Sequence, residues 1–293
     1  MQINKGLLAK LALLLATLIW GTSFVVVKDA VDIIPTAYLL AVRFSVACVV
    51  LALIFFKKLK KITKEYLWYG LIIGTCLFLA YYIQTLGIED TTPGKNAFIT
   101  AAYCVMVPFM FWFISKKKPD KYNITAAVIC LAGIGLVSLT SDLTVGKGDA
   151  LTLLAAVFYA LHMVFIAMFS KDKDPTVLTI LQFAVTAIFS WIASFIITPV
   201  AFEITVSLTT SVLYLALFAT AACLLLQNVG QKYTNPSEAA IILSLESVFG
   251  VLFSILFYGE KITPQIGIGF VLIFVAIIIS ETKLSFIKKK SEK

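Results

Sequence analysis

Charge is scarce in this chain. Asp, Glu, Lys and Arg make up 14% of its 293 residues, where a soluble domain carries about 25%. Histidine is scarcer, with His162 alone. The five cysteines (Cys48, Cys76, Cys104, Cys130 and Cys223) are widely separated and fall within apolar runs. That spacing fits neither a metal site nor a disulfide framework, and they read as small packing residues. No Walker loop, dinucleotide glycine pattern or zincin motif occurs, which excludes ATP-driven pumping within the chain and gives catalysis little support. What is abundant is apolar: 60% of the residues are hydrophobic and the mean hydropathy is +0.99. A disordered chain, a coiled coil and a disulfide-stapled module are excluded. A soluble enzyme could not cover so much apolar surface. The remaining class is a polytopic membrane protein.

A helix that crosses a bilayer needs about 20 apolar residues. Ten runs qualify: 7–27, 36–56, 66–87, 94–114, 122–140, 148–169, 177–199, 209–231, 237–258 and 262–281. Barrel strands would alternate over about ten residues; these runs are uninterrupted and predict helices. Their connections are too short for a soluble domain. The first run lacks a small-residue cleavage site and predicts an uncleaved helix. Basic residues set orientation. With a cytoplasmic N-terminus, only Lys28, Lys95, Lys147 and Lys261 fall outside and Arg43 falls within a helix; the other lysines lie inside. Both termini are therefore expected in the cytoplasm. The net charge of +8 is mostly this asymmetry. Nucleic-acid binding is not implied, because it needs a basic patch with aromatic partners.

The two halves resemble each other. Gln84, Gly87, Thr91, Pro93, Ala97 and Ile99 recur 143 residues later as Gln227, Gly230, Thr234, Pro236, Ala240 and Ile242. Earlier in each half the offset is 139, which matches Phe44 to Phe183 and places Trp20 on Tyr159, Ser23 on His162 and Arg43 on Gln182. Each half holds five helices, an odd number, so the second copy enters the membrane from the opposite side. Inverted repeats are a transporter architecture, with the substrate site near the midplane between them.

Ionisable groups inside a bilayer are costly and face a cavity or a partner. Glu246 lies mid-span in the ninth run. It could carry a proton, pair with a cationic substrate group, or hold helices together through Arg43 or hydroxyls. Arg43 could pair with Glu246, grip a substrate carboxylate or snorkel outward. His162 could relay protons or sit neutral and hydrogen-bonded. Trp20 and Tyr159 lie near the midplane rather than at the interface and are expected to line a cavity. Ser23, Gln182, Tyr81, Tyr82, Tyr103, Thr100 and Ser244 are further lining candidates. Gln84 and Gln227, with Pro93 and Pro236, bracket two short turns; they are expected to shape the hairpins, with gating as a second role. Gly133, Gly135, Gly267 and Gly269 read as packing or dimer faces.

The run Trp20-Gly21-Thr22-Ser23-Phe24, with Lys28, Pro35 and Arg43-Phe44, resembles the first EamA repeat of the drug/metabolite transporter superfamily. The stretch from Phe98 through Thr100, Tyr103 and Pro108 is similar to that repeat's fourth helix. Ser244-Leu245-Glu246-Ser247-Val248-Phe249, followed by Gly259-Glu260, is similar to the ninth helix. The resemblance covers nearly the whole chain. It implies a ten-helix permease of the inner or plasma membrane, commonly an exporter of amino acids or other metabolites. Where the first repeat has Trp20, Ser23 and Arg43, the second has Tyr159, His162 and Gln182, so symmetric use of the arginine position is not implied.

The expected protein is all-α, with ten transmembrane helices in two inverted five-helix repeats (1–140 and 148–281), a basic cytoplasmic tail (282–293) and both termini cytoplasmic. The expected function is a secondary transporter exporting amino acids or other small amphipathic metabolites by alternating access. Uptake or exchange by the same fold is the nearest alternative; an intramembrane enzyme and a channel stand further off. No catalytic residue, metal or cofactor is expected. The partners are a small-molecule substrate, the lipid bilayer and protons as a candidate coupling ion, with monomer and homodimer both open.

Overall fold

The computed structural model describes residues 5–116, 118–138, 145–169, 173–196, 203–233 and 236–283, without the side chains at 5, 115, 228, 229, 231, 232 and 236–241. Seven of the ten apolar runs are single helices: α1 (Lys5–Val31), α2 (Thr36–Ile54), α3 (Lys64–Glu89), α6 (Lys121–Ser138), α7 (Lys147–Phe169), α8 (Pro175–Ile196) and α12 (Pro264–Thr282). Among the described residues nine helices are long and apolar enough to cross a membrane, and a further apolar helix, Ile242–Tyr258, is shorter.

Three runs expected to be uninterrupted are not. The fourth breaks at Ala102 into α4 (Pro93–Ala101) and α5 (Tyr103–Ser115). The eighth is α9 (Val206–Tyr214), a π-helical stretch (Leu215–Ala222) and α10 (Cys223–Tyr233). The ninth is α11 (Pro236–Phe253) followed by a second π-helical stretch (Ser254–Tyr258). The second run also ends early, at Ile54, and continues as a 3₁₀ turn over Phe56–Lys61. The tail from 284 onward and the side chain of Pro236 lie outside the described residues.

Threonine is the recurrent helix starter. The hydroxyls of Thr63, Thr92, Thr205 and Thr263 accept the N–H of the residue three positions on, which satisfies one of the four donors a helix N-terminus leaves unpaired. Pro93 opens α4 at its first turn, where a missing N–H costs nothing. Lys116 and Lys283 close α5 and α12 in the left-handed conformation, at φ 61° and 51°.

The helix neighbours exchange when the halves are exchanged. α1 packs on α10 and α11, as α7 packs on α3 and on the α4–α5 run. α2 lies against the π-helical stretch of the eighth run, as α8 lies against α3. The pairs α2–α8, α4–α11 and α6–α12 map onto themselves. Gly133 and Gly269 sit inside the α6–α12 crossing, where a Cβ on either would approach the other's carbonyl oxygen to 2.8 Å. Their small size is thus used within one chain.

Polar ties lie at both ends of the bundle. At the α3–α4 turn, Lys147 pairs with Asp90 (2.8 Å) and Lys95 with Asp149 (3.2 Å). The Glu260 carboxylate accepts from Thr92 Oγ1 (2.5 Å), from the Gly94 N–H (3.0 Å) and from Ser254. At the other end of α3, Lys58 (3.2 Å) and Lys61 (3.0 Å) both reach Asp174, and Lys173 pairs with Glu65.

Candidate functional site

Helical spacing builds one cavity from seven of the ten runs. α1 presents Trp20, Ser23, Phe24 and Val27, and α3 presents Leu77, Tyr81, Gln84, Thr85 and Ile88. Both sets follow the three- and four-residue spacing of one helix face. Asn96, Thr100 and Tyr103 come from α4 and α5, and Tyr159, His162 and Met163 from α7. Leu224 and Gln227 of α10, Glu246 of α11 and Arg43 of α2 close the wall. The cavity volume is about 80 Å³.

The π-helical stretch shapes one side. The Cys223 N–H reaches back to Phe218 O and not to Ala219 O. The indole of Trp20 donates to that Ala219 carbonyl at 2.7 Å. One residue on, Thr220 Oγ1 accepts from Arg43 Nε at 2.6 Å, and its own hydroxyl donates to Leu215 O. π-helical turns often occur at functional sites; here the turn supplies both partners that hold Trp20 and Arg43. The Arg43 guanidinium also lies 4.9 Å from the centre of the Tyr81 ring, a favourable cation–π placement.

A polar chain crosses the opposite wall. Tyr159 OH donates to Gln84 Oε1 (2.8 Å), and Gln84 Nε2 donates to Thr100 Oγ1 (2.8 Å). Asn96 Nδ2 donates to Thr152 Oγ1 (2.7 Å) and to Gln84 O (3.4 Å). His162 Nε2 is 2.7 Å from Gln182 Oε1. With the amide oxygen as acceptor, the neutral ring carries its proton on Nε2. Among the described residues no ion pair joins Arg43 to Glu246. Of the alternatives open to Arg43, pairing with Glu246 gives way to Thr220 and Tyr81, and the Glu246 carboxylate lines the cavity with no hydrogen-bonding partner among the described residues.

The cavity gathers Trp20, Ser23, Arg43, Tyr81, Thr100, Tyr103, Tyr159, His162 and Glu246 from the sequence candidates. Three others lie elsewhere. Gln182 stands behind the wall, holding His162. Tyr82, one residue past the inward-facing Tyr81, turns away and stacks on Phe78 at 5.3 Å. Ser244 is buried, two residues from Glu246, and its carbonyl accepts from Ser247. Gln84 and Gln227, expected to shape hairpins, line the cavity, whereas Pro93 starts α4. Sequence reasoning missed Asn96 and Thr85 on the wall. Asn96 lies one turn before Thr100 and two before Tyr103, a spacing that could have found it. No group of three metal-ligating side chains occurs among the described residues.

The sequence matches the EamA-like transporter family twice, over residues 7–139 and 146–282. An uncharacterized transporter of Archaeoglobus fulgidus is 37% identical over 94% of this chain and 86% of its own length. The uncharacterized transporter YoaV of Bacillus subtilis is 26% identical over 90% of this chain and 93% of its own. A protein crystal structure superposes with a TM-score of 0.66 at 15% identity, covering 93% of this chain and 96% of that one. That last likeness is one of fold.

Proposed function

The chain belongs to the EamA-like transporter family, and from that premise we propose that it is a secondary carrier that exports small amphipathic metabolites, amino acids foremost, by alternating access. It is a multi-pass membrane transporter and not an enzyme. The observation that carries the proposal is the cavity between the two halves. It offers aromatic rings to an apolar body and places Arg43 and Glu246 on one wall system without pairing them to each other. A zwitterion needs both signs of charge. Glu246 would address its ammonium and Arg43 its carboxylate.

The exchange of helix neighbours between halves supports two structural repeats, and five helices in each would invert one against the other, an arrangement that suits alternating access. The lysine distribution supports cytoplasmic termini and a cell-membrane location. Protons are the candidate coupling ion, through Glu246 or His162. In proteoliposomes, a labelled amino acid should accumulate by counterflow against its unlabelled form. No movement of any solute across a broad metabolite panel overturns the proposal. Uptake and export are separated by repeating the assay in vesicles of known orientation.

A further inference from the structure

Asn96 is fully buried and lines the cavity. Its amide nitrogen is engaged twice, by Thr152 Oγ1 and Gln84 O. Thr152 spends its own proton on Gly148 O at 2.7 Å, so its oxygen can only accept from Asn96. This fixes the amide orientation and leaves Oδ1 as the acceptor. That Oδ1 has no hydrogen-bond partner, and among buried side-chain atoms only Ser138 Oγ shares that condition in the described residues. Ser138 is not on the cavity wall; Asn96 is. Buried polar atoms are almost always satisfied, and an exception at a binding wall points to a partner from outside the protein.

A second acceptor on the wall, and the only carboxylate among the lining residues, is Glu246. Gly250, one turn beyond Glu246, packs on Ala97, where an added Cβ would stand 2.5 Å from the Ala97 Cβ. Glu246 and Asn96 are thus separated along the α4–α11 contact by five residues of helical rise, about 8 Å. The rings of Tyr81, Tyr103 and Tyr159 lie on the same cavity. Resting on the transport reading above, we propose that Asn96 is a substrate-recognition residue whose Oδ1 accepts an N–H or O–H at the far end of a cargo anchored by its ammonium at Glu246. The cargo class is then an amine, free or zwitterionic, with an apolar middle and a second hydrogen-bond donor at the end remote from the ammonium.

Tyramine and phenethylamine differ only in such a donor, as do tyrosine and phenylalanine. Binding of all four to the purified, detergent-solubilised full-length protein is measured by calorimetry. The hydroxylated member of each pair should bind about tenfold tighter, since a donor-lacking ligand leaves the buried acceptor unpaired. Asn96→Ala should bring the ratio within each pair to near one. Glu246→Gln should weaken all four while leaving the ratio intact. Thr152→Val removes the partner of Nδ2 but keeps Oδ1, so it should preserve the ratio even if it lowers stability. A wild-type ratio near one, or a ratio that survives Asn96→Ala, overturns the assignment of Asn96 while leaving the carrier reading in place. Absence of binding by all four to the wild type, with no counterflow of any solute, overturns both.

Discussion

His162 depends on Gln182 for a place to put its Nε2 proton. Both side chains are buried, and a buried donor deprived of its acceptor costs about 1–3 kcal/mol. Gln182→Leu should therefore lower the melting temperature by that equivalent, and Gln182→Glu, which keeps an acceptor oxygen, should recover most of it. A differential scanning measurement on the three proteins checks this. The histidine was legible from the sequence as an unusual mid-membrane group; Gln182 was legible as a repeat-related lining candidate, but not as the partner of His162. Tyr81 and Tyr82 show the limit of such reading. Both are aromatic and adjacent, but a helix turns about 100° per residue, and composition alone does not say which ring faces inward. Asn96 was missed for a similar reason. A neutral amide in an apolar run carries no charge to draw notice, and its meaning comes from Thr152 and Gln84, which lie 56 and 12 residues away.

At the scale of elements, the ten runs were readable because burial in lipid imposes their length and composition. The interruptions were not. The π-helical stretch at Leu215–Ala222 contains neither Gly nor Pro, and what sustains it is tertiary: Trp20 on its carbonyl and Arg43 on its threonine. The corner at Asp174 joins the 3₁₀ turn to the start of α8. Burial there raises the Asp174 carboxyl, but Lys61 and then Lys58 outweigh it and hold the group below the ordinary carboxylate range. A carboxylate depressed by folding stabilises the native state above its unfolded value, about 3.9, and that contribution fades as pH falls through the folded value. The melting temperatures of wild type and Asp174→Asn should thus differ near neutral pH and converge as pH drops below about 4. A constant difference across that range would show that the lysine pairs are not its source.

For the molecule as a whole, the internal duplication was the most informative feature of the sequence, and the helix contacts keep to it, the main packings in one half having their counterparts when the halves are exchanged. It did not foretell how the halves are fastened. At the α3–α4 turn, Asp90 with Lys147, Asp149 with Thr91 and Lys95, and Glu260 with Thr92 and Gly94 join first-half residues to second-half residues. Any motion that opens the cavity at that end must part them. Glu260→Ala should speed labelling of a cysteine placed at Thr85, in an otherwise cysteine-free protein, by a membrane-impermeant maleimide added on that side. An unchanged rate would mean that the contact is a helix cap and nothing more. The Glu260 tie also has a consequence for timing. In the first half the corresponding connection carries Asp120, which pairs with Lys283 (2.6 Å), so the two ends are fastened by different contacts. On the alternating-access proposal, a carrier symmetric in outline would then be unequal in its two conformations, and a few kcal/mol between them would leave one rarely visited. Its duty cycle would be lopsided, waiting long with one door shut and passing briefly through the other.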